Sequence, residues 1–186
     1  MQSKYIYDEE QIIERLHHQD TVREAFGKVI EHYSQPLYWQ IRRMVIDHDD
    51  ANDILQNTFI KAWQSIDNFR GDAKLSTWLY KIAINESITF INKKKALNNI
   101  SIDADDSFLV NSLESSEWFD GDEAQIKLQK AITRLPEKQR LVFNMRYYDE
   151  MKYEDMSDIL GTSVGALKAS YHHAVKKIEQ FFAETD

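Results

Sequence analysis

Apolar residues recur at three- and four-residue intervals along most of the chain, the spacing that places them on one face of an α-helix. The pattern runs through Ile12, Ile13 and Leu16, then through Phe26, Val29 and Ile30, and after Pro36 through Leu37, Ile41 and Val45. Asp49 or Asp50 is the expected N-cap of a following helix. The inner face of that helix would be Ile54, Leu55, Thr58, Phe59 and Ala62. Only five glycines and two prolines are available for turns among 186 residues, so the sequence predicts an all-helical fold.

A further helix is predicted over about 75–95, and it carries a polar stripe. The stripe consists of Thr77, Lys81, Asn85, Thr89 and Lys93, at four-residue intervals. Apolar residues, among them Trp78, lie on more than one side of the same helix. Because bases stack on aromatic rings while cations neutralise phosphates, such a stripe suits single-stranded nucleic acid. An ordinary solvent-exposed face fits the same residues at least as well.

Residues 121–186 predict four helices, the last two in a helix-turn-helix arrangement. The first ends before Pro136, and the second covers about 137–148. A short third helix, about 154–160, stops at Gly161, which suits a left-handed C′ position, and Thr162 or Ser163 would cap the fourth. Its buried face would be Val164, Leu167, Tyr171, Val175 and Ile178, with Ala166, Ala169, His173 and Lys176 facing outward. The second helix of such a motif enters the DNA major groove, but a plain helical hairpin fits this pattern equally well.

The negative charge of the chain is concentrated in one segment. The whole chain carries a net charge of −8, of which residues 1–95 contribute −1, residues 96–120 contribute −6 and residues 121–186 contribute −1. Residues 96–120 also lack a sustained helical period, so they are predicted to form an acidic linker between two helical units. A solvated surface loop is the alternative, although loops of this length are uncommon inside compact domains.

Composition also bears on several functional classes. Since the chain has no cysteine, it has no disulfide framework, thiolate metal site or catalytic thiol. Apolar runs fall far short of the roughly 20 residues that span a bilayer, and acidic residues stand where a signal peptide would be apolar. We therefore expect a cytoplasmic protein without direct membrane insertion.

A metal-dependent hydrolase is a second class to weigh, because four acids cluster near the middle of the first half. These acids are Asp47, Asp49, Asp50 and Asp53. They lack the glycine and downstream glutamate of a calcium loop. The pairs His17-His18 and His172-His173 are neighbours about 100° apart on a helix, which is poor geometry for chelation. The sequence predicts no catalytic site, no metal and no cofactor.

Five stretches together carry a family resemblance: residues 50–63, 69–71, 77–85, 135–140 and 153–177. In this order they resemble the extracytoplasmic-function class of bacterial RNA polymerase sigma factors, over about residues 8–182. The resemblance implies two small helical domains joined by an acidic linker. The first is a region 2-like bundle over 8–95, and the second is a region 4-like helix-turn-helix domain over 121–182. The linker, 96–120, matches a segment that in this class threads the RNA exit path.

The same resemblance implies roles for individual residues. Asp53 and Gln56 would contact the clamp helices of core RNA polymerase. The flap regions of the polymerase would also bind this chain. The minus-ten strand would meet Lys61, Phe69, Arg70, Trp78, Lys81 and Asn85, with Lys61, Phe69 and Asn85 around a flipped base and residues 70–76 forming a specificity loop. The minus-thirty-five element would meet Lys168, Ser170, His172, His173 and Lys176. An anti-sigma factor is a further expected partner, beside polymerase and promoter DNA.

The chain departs from the family pattern at both contact surfaces. Asn52 and Asn57 stand at positions that are usually acidic, so the clamp contact would be altered. Ser170, His173 and Val175 stand where arginine, the best bidentate reader of guanine, is frequent. A free-standing helix-turn-helix regulator is the rival interpretation, but the net charge of −1 over residues 121–186 argues against a self-sufficient DNA-binding face.

Overall fold

The computed structural model describes residues 7–97 and 123–185, and these residues form helices and turns without any β-strand. The helices are α1 (Glu9–Leu16), α2 (Val22–Val45), α3 (His48–Gln64), α4 (Leu75–Leu97), α5 (Glu123–Thr133), α6 (Glu137–Tyr147), α7 (Tyr153–Leu160) and α8 (Val164–Thr185), with a short 3₁₀ helix at Ile66–Asn68. The predicted all-helical architecture is confirmed. Beyond its first two residues, the acidic linker predicted over 96–120 lies outside the described residues.

The first half is a bundle in which α2, α3 and α4 pack on one another and α1 packs on α2. Its centre consists of wholly buried aliphatic side chains, namely Leu37, Ile41, Ile54, Leu75, Leu79, Ile84 and Ile91. The predicted inner face of α3 is confirmed, since Ile54, Thr58 and Ala62 are buried. Burial of these faces is the main source of helix stability, because packing of an apolar face stabilises a helix in a protein more than its intrinsic propensity does.

The helix α2 continues through Pro36, where the apolar pattern had suggested a new start. Proline removes one backbone donor and crowds the preceding turn, which usually ends or kinks a helix. Here the ring of Pro36 is exposed, while Val29, Tyr33, Leu37 and Ile41 form one buried face on both sides of it. Packing of that continuous face outweighs the local preference.

The N-cap of α3 is Asp47, and not Asp49 or Asp50 as the sequence suggested. The Asp47 carboxylate accepts a hydrogen bond from the backbone N–H of Asp50 at 2.9 Å. Asp50 instead forms an ion pair with Lys94 of α4 at 2.6 Å. Three acids follow each other closely here, and the helix begins after the first of them, whose extended backbone lets its carboxylate accept the N–H three residues on.

The second half contains the predicted helix-turn-helix, formed by α7 and α8. Gly161 ends α7 in the left-handed conformation, with φ 62°, and Ser163 Oγ accepts a hydrogen bond from the N–H of Ala166 at 3.3 Å. The stop at Gly161 was predicted from its residue type, and Ser163 was one of the two predicted caps. The helix α8 packs on α5, α6 and α7, and Leu167, Ala174 and Ile178 lie buried on its inner face.

The two halves dock against each other along a seam between α2 and α6 and between α4 and α7. Val142, Met145 and Met156 of the second half are wholly buried in the same apolar cluster as the core of the first half. At one side of this seam, Arg43 of α2 forms a partly buried ion pair with Asp149, in the turn after α6. The Arg43 guanidinium also lies 4.8 Å from the ring centre of Tyr148.

Candidate nucleic-acid interface

The outer face of α3 is a continuous exposed strip that begins polar and ends apolar. Asp53 and Gln56 are exposed at its first two turns, as predicted. At 100° per residue, Ile60 and Trp63 fall within about 80° of them, and their exposed fractions are 53% and 39%. Large apolar residues exposed together mark a contact surface.

A groove of about 490 Å³ lies beside this apolar end, between α3 and the start of α2. Its walls are Arg23, Phe26, Gly27, Ile30, Phe59, Ile60, Trp63 and Gln64. Ile60 and Trp63 were not among the predicted contact residues. Their spacing of seven and ten residues from Asp53 continues the outward face of the helix, and this spacing could have identified them as surface residues.

The polar stripe of α4 is largely at the surface. Lys81, Asn85, Thr89 and Lys93 are exposed. Thr77, the first member of the predicted stripe, is 93% buried, with an exposed fraction of 7%, so that part of the prediction is wrong. Thr77 is buried because the first turn of α4 lies inside the bundle, where the neighbouring Leu75 and Leu79 are core residues.

In the structure Lys61 lies beside this stripe, whereas Phe69, predicted to contact the minus-ten strand, is buried. Lys61 Nζ lies 2.5 Å from Glu86 Oε1, one residue after Asn85. Phe69 is buried, with an exposed fraction of 4%, and its ring centre lies 5.0 Å from that of half-buried Trp78. Phe69 therefore packs against Trp78 from the interior of the bundle. Arg70, the next residue after Phe69, is exposed.

The loop predicted over 70–76 connects the 3₁₀ helix to α4 and touches the second half. Lys74 Nζ lies 2.9 Å from Asp155 Oδ1 of α7. The pKa of Lys74 is raised, chiefly by its hydrogen bond to Asp155. Gly71 has φ 77°, a conformation that suits glycine.

The exposed face of α8 carries the residues predicted to face outward. Ala166, Ala169, His173 and Lys176 are all exposed, which confirms the helical register. Lys168 and His172 are exposed as well, and Ser170 is half-buried. The Lys168 ammonium lies 5.7 Å from the ring centre of Tyr153, which holds it beside the start of α7. Small residues next to cations permit close approach to a base edge and contact to phosphate.

Within residues 7–97 and 123–185, no three acidic or histidine side chains come together in a way that could hold a metal ion. Asp47 is used as a helix cap and Asp50 as an ion-pair partner. None of the described helices combines the length and apolarity needed to cross a bilayer.

Comparisons with known proteins bear on both halves. Residues 29–97 match the family Sigma-70 region 2, and residues 125–178 match Sigma-70, region 4. The chain is 32% identical to the ECF RNA polymerase sigma factor SigW of Bacillus subtilis, over 81% of this chain and 84% of that one. It is 29% identical to the RNA polymerase sigma-H factor of Pseudomonas aeruginosa, over 92% of each chain.

Two solved structures share the fold across most of the chain. The sigma factor RpoE in complex with the anti-sigma factor NepR, from Bartonella quintana, aligns with a TM-score of 0.67 and 22% identity, over 85% of this chain and 96% of that one. CnrH in complex with the cytosolic domain of CnrY aligns with a TM-score of 0.69 and 18% identity, over 96% and 99%. With both sigma-70 regions matched in order and a relative above 30% identity covering most of its length, the chain belongs to the family of ECF RNA polymerase sigma factors.

Proposed function

We propose that this protein binds core RNA polymerase, directs it to a subset of promoters and helps to open the minus-ten region. The exposed part of the α4 stripe carries the proposal. Lys81, Asn85 and Lys93 face solvent, on the helix that also carries the half-buried ring of Trp78, and Lys61 pairs with Glu86 beside Asn85. The hydrophobic core does not need these side chains. They provide the cations, hydrogen-bonding groups and ring that a melted strand requires.

Strand opening sets the energetic requirement. Taking a base out of the stack costs a few kcal/mol, and stacking on an aromatic side chain returns about 1–3 kcal/mol per base. A surface that contacts only the open strand therefore shifts the equilibrium towards opening. In this proposal Trp78 provides the stacking surface, Asn85 provides the hydrogen bonds, and Arg70, Lys61 and Lys81 neutralise phosphates.

Polymerase binding is assigned to the outer face of α3. Asp53 and Gln56 would make the polar part of the contact, and Ile60 and Trp63 the apolar part, because all four share one exposed strip. The net charge of −8 makes the chain alone a weak DNA binder, so polymerase supplies most of the attraction to DNA. The exposed face of α8, with Lys168, His172, His173 and Lys176, would contact the minus-thirty-five element, and residues 96–120 would link the two DNA-contacting halves.

We place this protein in the cytoplasm, without a catalytic site of its own. An anti-sigma factor is the proposed regulator, and the two solved relatives in complex with NepR and with the cytosolic domain of CnrY support this assignment. Such a factor would act by covering the surfaces described above.

The test is reconstitution of the full chain with core polymerase and genomic DNA, followed by mapping of transcription starts. We expect discrete new starts that core polymerase alone does not produce, and their absence would contradict the proposal. Asn85→Ala should impair opening of the minus-ten region while core binding stays unchanged. Asp53→Ala should lower the affinity for core polymerase, whereas Glu31→Ala, at an exposed acid of α2, is the matched control.

The rival function, a free-standing helix-turn-helix regulator, predicts a different result. The purified chain would then bind duplex sites tightly at physiological salt and without polymerase. A DNA-binding titration of the chain alone separates the two functions directly.

A further inference from the structure

The helix α4, which carries the minus-ten stripe, begins without a capping side chain of its own. Lys74 occupies the N-cap position, since its carbonyl accepts the N–H of Trp78 at 3.1 Å. The first N–H groups of a helix have no partner within it, and a lysine side chain has only donors. The cap must come from elsewhere in the fold.

Glu9 of α1 provides it. Glu9 Oε1 accepts the backbone N–H of Leu75, the first residue of α4, at 3.3 Å. Its second oxygen, Oε2, accepts the hydroxyl of Tyr33 in α2 at 2.9 Å. One carboxylate thus connects three helices, and its negative charge lies at the N-terminus of α4, where the helix dipole favours it.

The loop 70–76 also runs along α1 at its other end. A Cβ placed on Gly71 would lie 3.8 Å from Ile13 Cγ2, so the loop backbone approaches α1 closely. The half-buried Glu9 also lies close enough to Lys74 to contribute to the raised pKa of that residue, after Asp155. Both ends of the loop are therefore fixed against α1, which lies outside residues 29–97 matched to Sigma-70 region 2.

We propose that Glu9 is a positioning residue for minus-ten recognition, which caps α4 from α1 and so fixes the loop 70–76 relative to the exposed stripe. The proposal rests on the proposed function, because it assigns minus-ten contact to that loop and stripe. Glu9 acts through the start of α4 and does not itself touch DNA. Its removal leaves the α3 surface that binds polymerase in place.

The test compares Glu9→Ala with Glu9→Gln and with Glu10→Ala in the full chain. Glutamine keeps the cap, because its amide oxygen accepts the N–H of Leu75 and its NH₂ group donates to the hydroxyl of Tyr33. Glu10 is an exposed acid in the same turn and controls for the loss of charge. Without polymerase, we expect amide hydrogen exchange over residues 75–78 to rise about fivefold in Glu9→Ala, the size expected for loss of a helix cap, and to stay near wild type in the other two variants.

The functional readout is discrimination between promoters that differ only in the minus-ten sequence, measured together with core affinity. We expect Glu9→Ala to reduce this discrimination about fivefold at unchanged core affinity, and Glu9→Gln to restore it. Unchanged exchange, unchanged discrimination, a parallel loss of core affinity, or a Glu9→Gln variant as impaired as Glu9→Ala would each overturn the proposal. A wild-type chain that yields no promoter-specific starts would instead overturn the proposed function, while the exchange measurement would still report the cap.

Discussion

The partly buried ion pair between Arg43 and Asp149 at the seam predicts an unusual dependence of stability on pH. Asp149 accepts a hydrogen bond from Arg43, but its second oxygen, Oδ2, is buried and has no hydrogen-bond partner among the described residues. Burial therefore outweighs the attraction of Arg43 and raises the pKa of Asp149 from 3.8 to about 6. Arg43 of α2 and Tyr80 of α4 face it, and the guanidinium of Arg43 in turn lies over the ring of Tyr148.

The perturbation is Asp149→Asn, which resembles the protonated acid in shape. Because the folded-state pKa is raised, the stabilisation that comes from protonating Asp149 is fully present below pH 3.8 and is lost as the pH rises through about 6. A shift of about two units corresponds to about 3 kcal/mol in total. Between pH 5 and pH 7 the wild type should lose roughly 1.3 kcal/mol of folding free energy through this group, and Asp149→Asn should lose none of it.

The assay is urea unfolding of the full chain at pH 5, 6, 7 and 8 for the wild type, for Asp149→Asn and for Asp20→Asn. The last variant removes an exposed carboxylate and controls for net charge. The difference in unfolding free energy between Asp149→Asn and wild type should increase with pH in favour of the variant. A difference that stays constant, or that favours the wild type more strongly at pH 7 than at pH 5, would refute the reasoning, because it would mean that the attraction of Arg43 outweighs burial.

Three further predictions concern other parts of the fold. Trp63→Ala should weaken core polymerase binding about tenfold, as loss of an interface aromatic typically does; an unchanged affinity in a binding titration would exclude the groove from the contact. Leu79→Ala should destabilise the protein by about 2–5 kcal/mol, because the wholly buried side chain leaves a cavity; less than 1 kcal/mol in urea unfolding would contradict its central place. Asn144→Leu should raise the melting temperature, since both amide atoms of Asn144 are buried without a hydrogen-bond partner within residues 7–97 and 123–185; a lower melting temperature would show that the amide is satisfied.

The parts of the fold that sequence could predict depend on local periodicity and residue type. The outward register of α8 followed from 100° per residue, and the stop at Gly161 followed from its backbone freedom. Residue type narrowed the cap of α8 to Thr162 or Ser163, and the structure shows Ser163. Each of these features is decided within a few residues of the chain.

The features that sequence could not predict depend on distant contacts. Thr77 belongs to the polar stripe by spacing but is buried by the bundle around it. Asp50, one of the two predicted caps of α3, instead pairs with Lys94, 44 residues away. Glu9 and Leu75 are 66 residues apart, and Arg43 and Asp149 are 106 residues apart. Nothing in a local pattern links such pairs, so the cap of α4 and the polar contact of the seam appear only in the folded chain.

The contact between the two halves limits the distance between their proposed DNA-contacting surfaces. The distance from Asn85 to Lys168 cannot exceed about 60 Å. That is the length of a path that follows α4 back to Lys74, crosses the ion pair to Asp155 and continues along α7 and the turn to Lys168. Two sites centred at positions −10 and −35 are about 25 base pairs apart, or about 85 Å along B-form DNA. If the proposed minus-ten and minus-thirty-five contacts are made at once, the two halves must separate, which exposes Met145 and Met156 to water or to another protein surface. Under the proposed function, the stability of this internal contact then sets how much free energy polymerase provides before both promoter elements are bound.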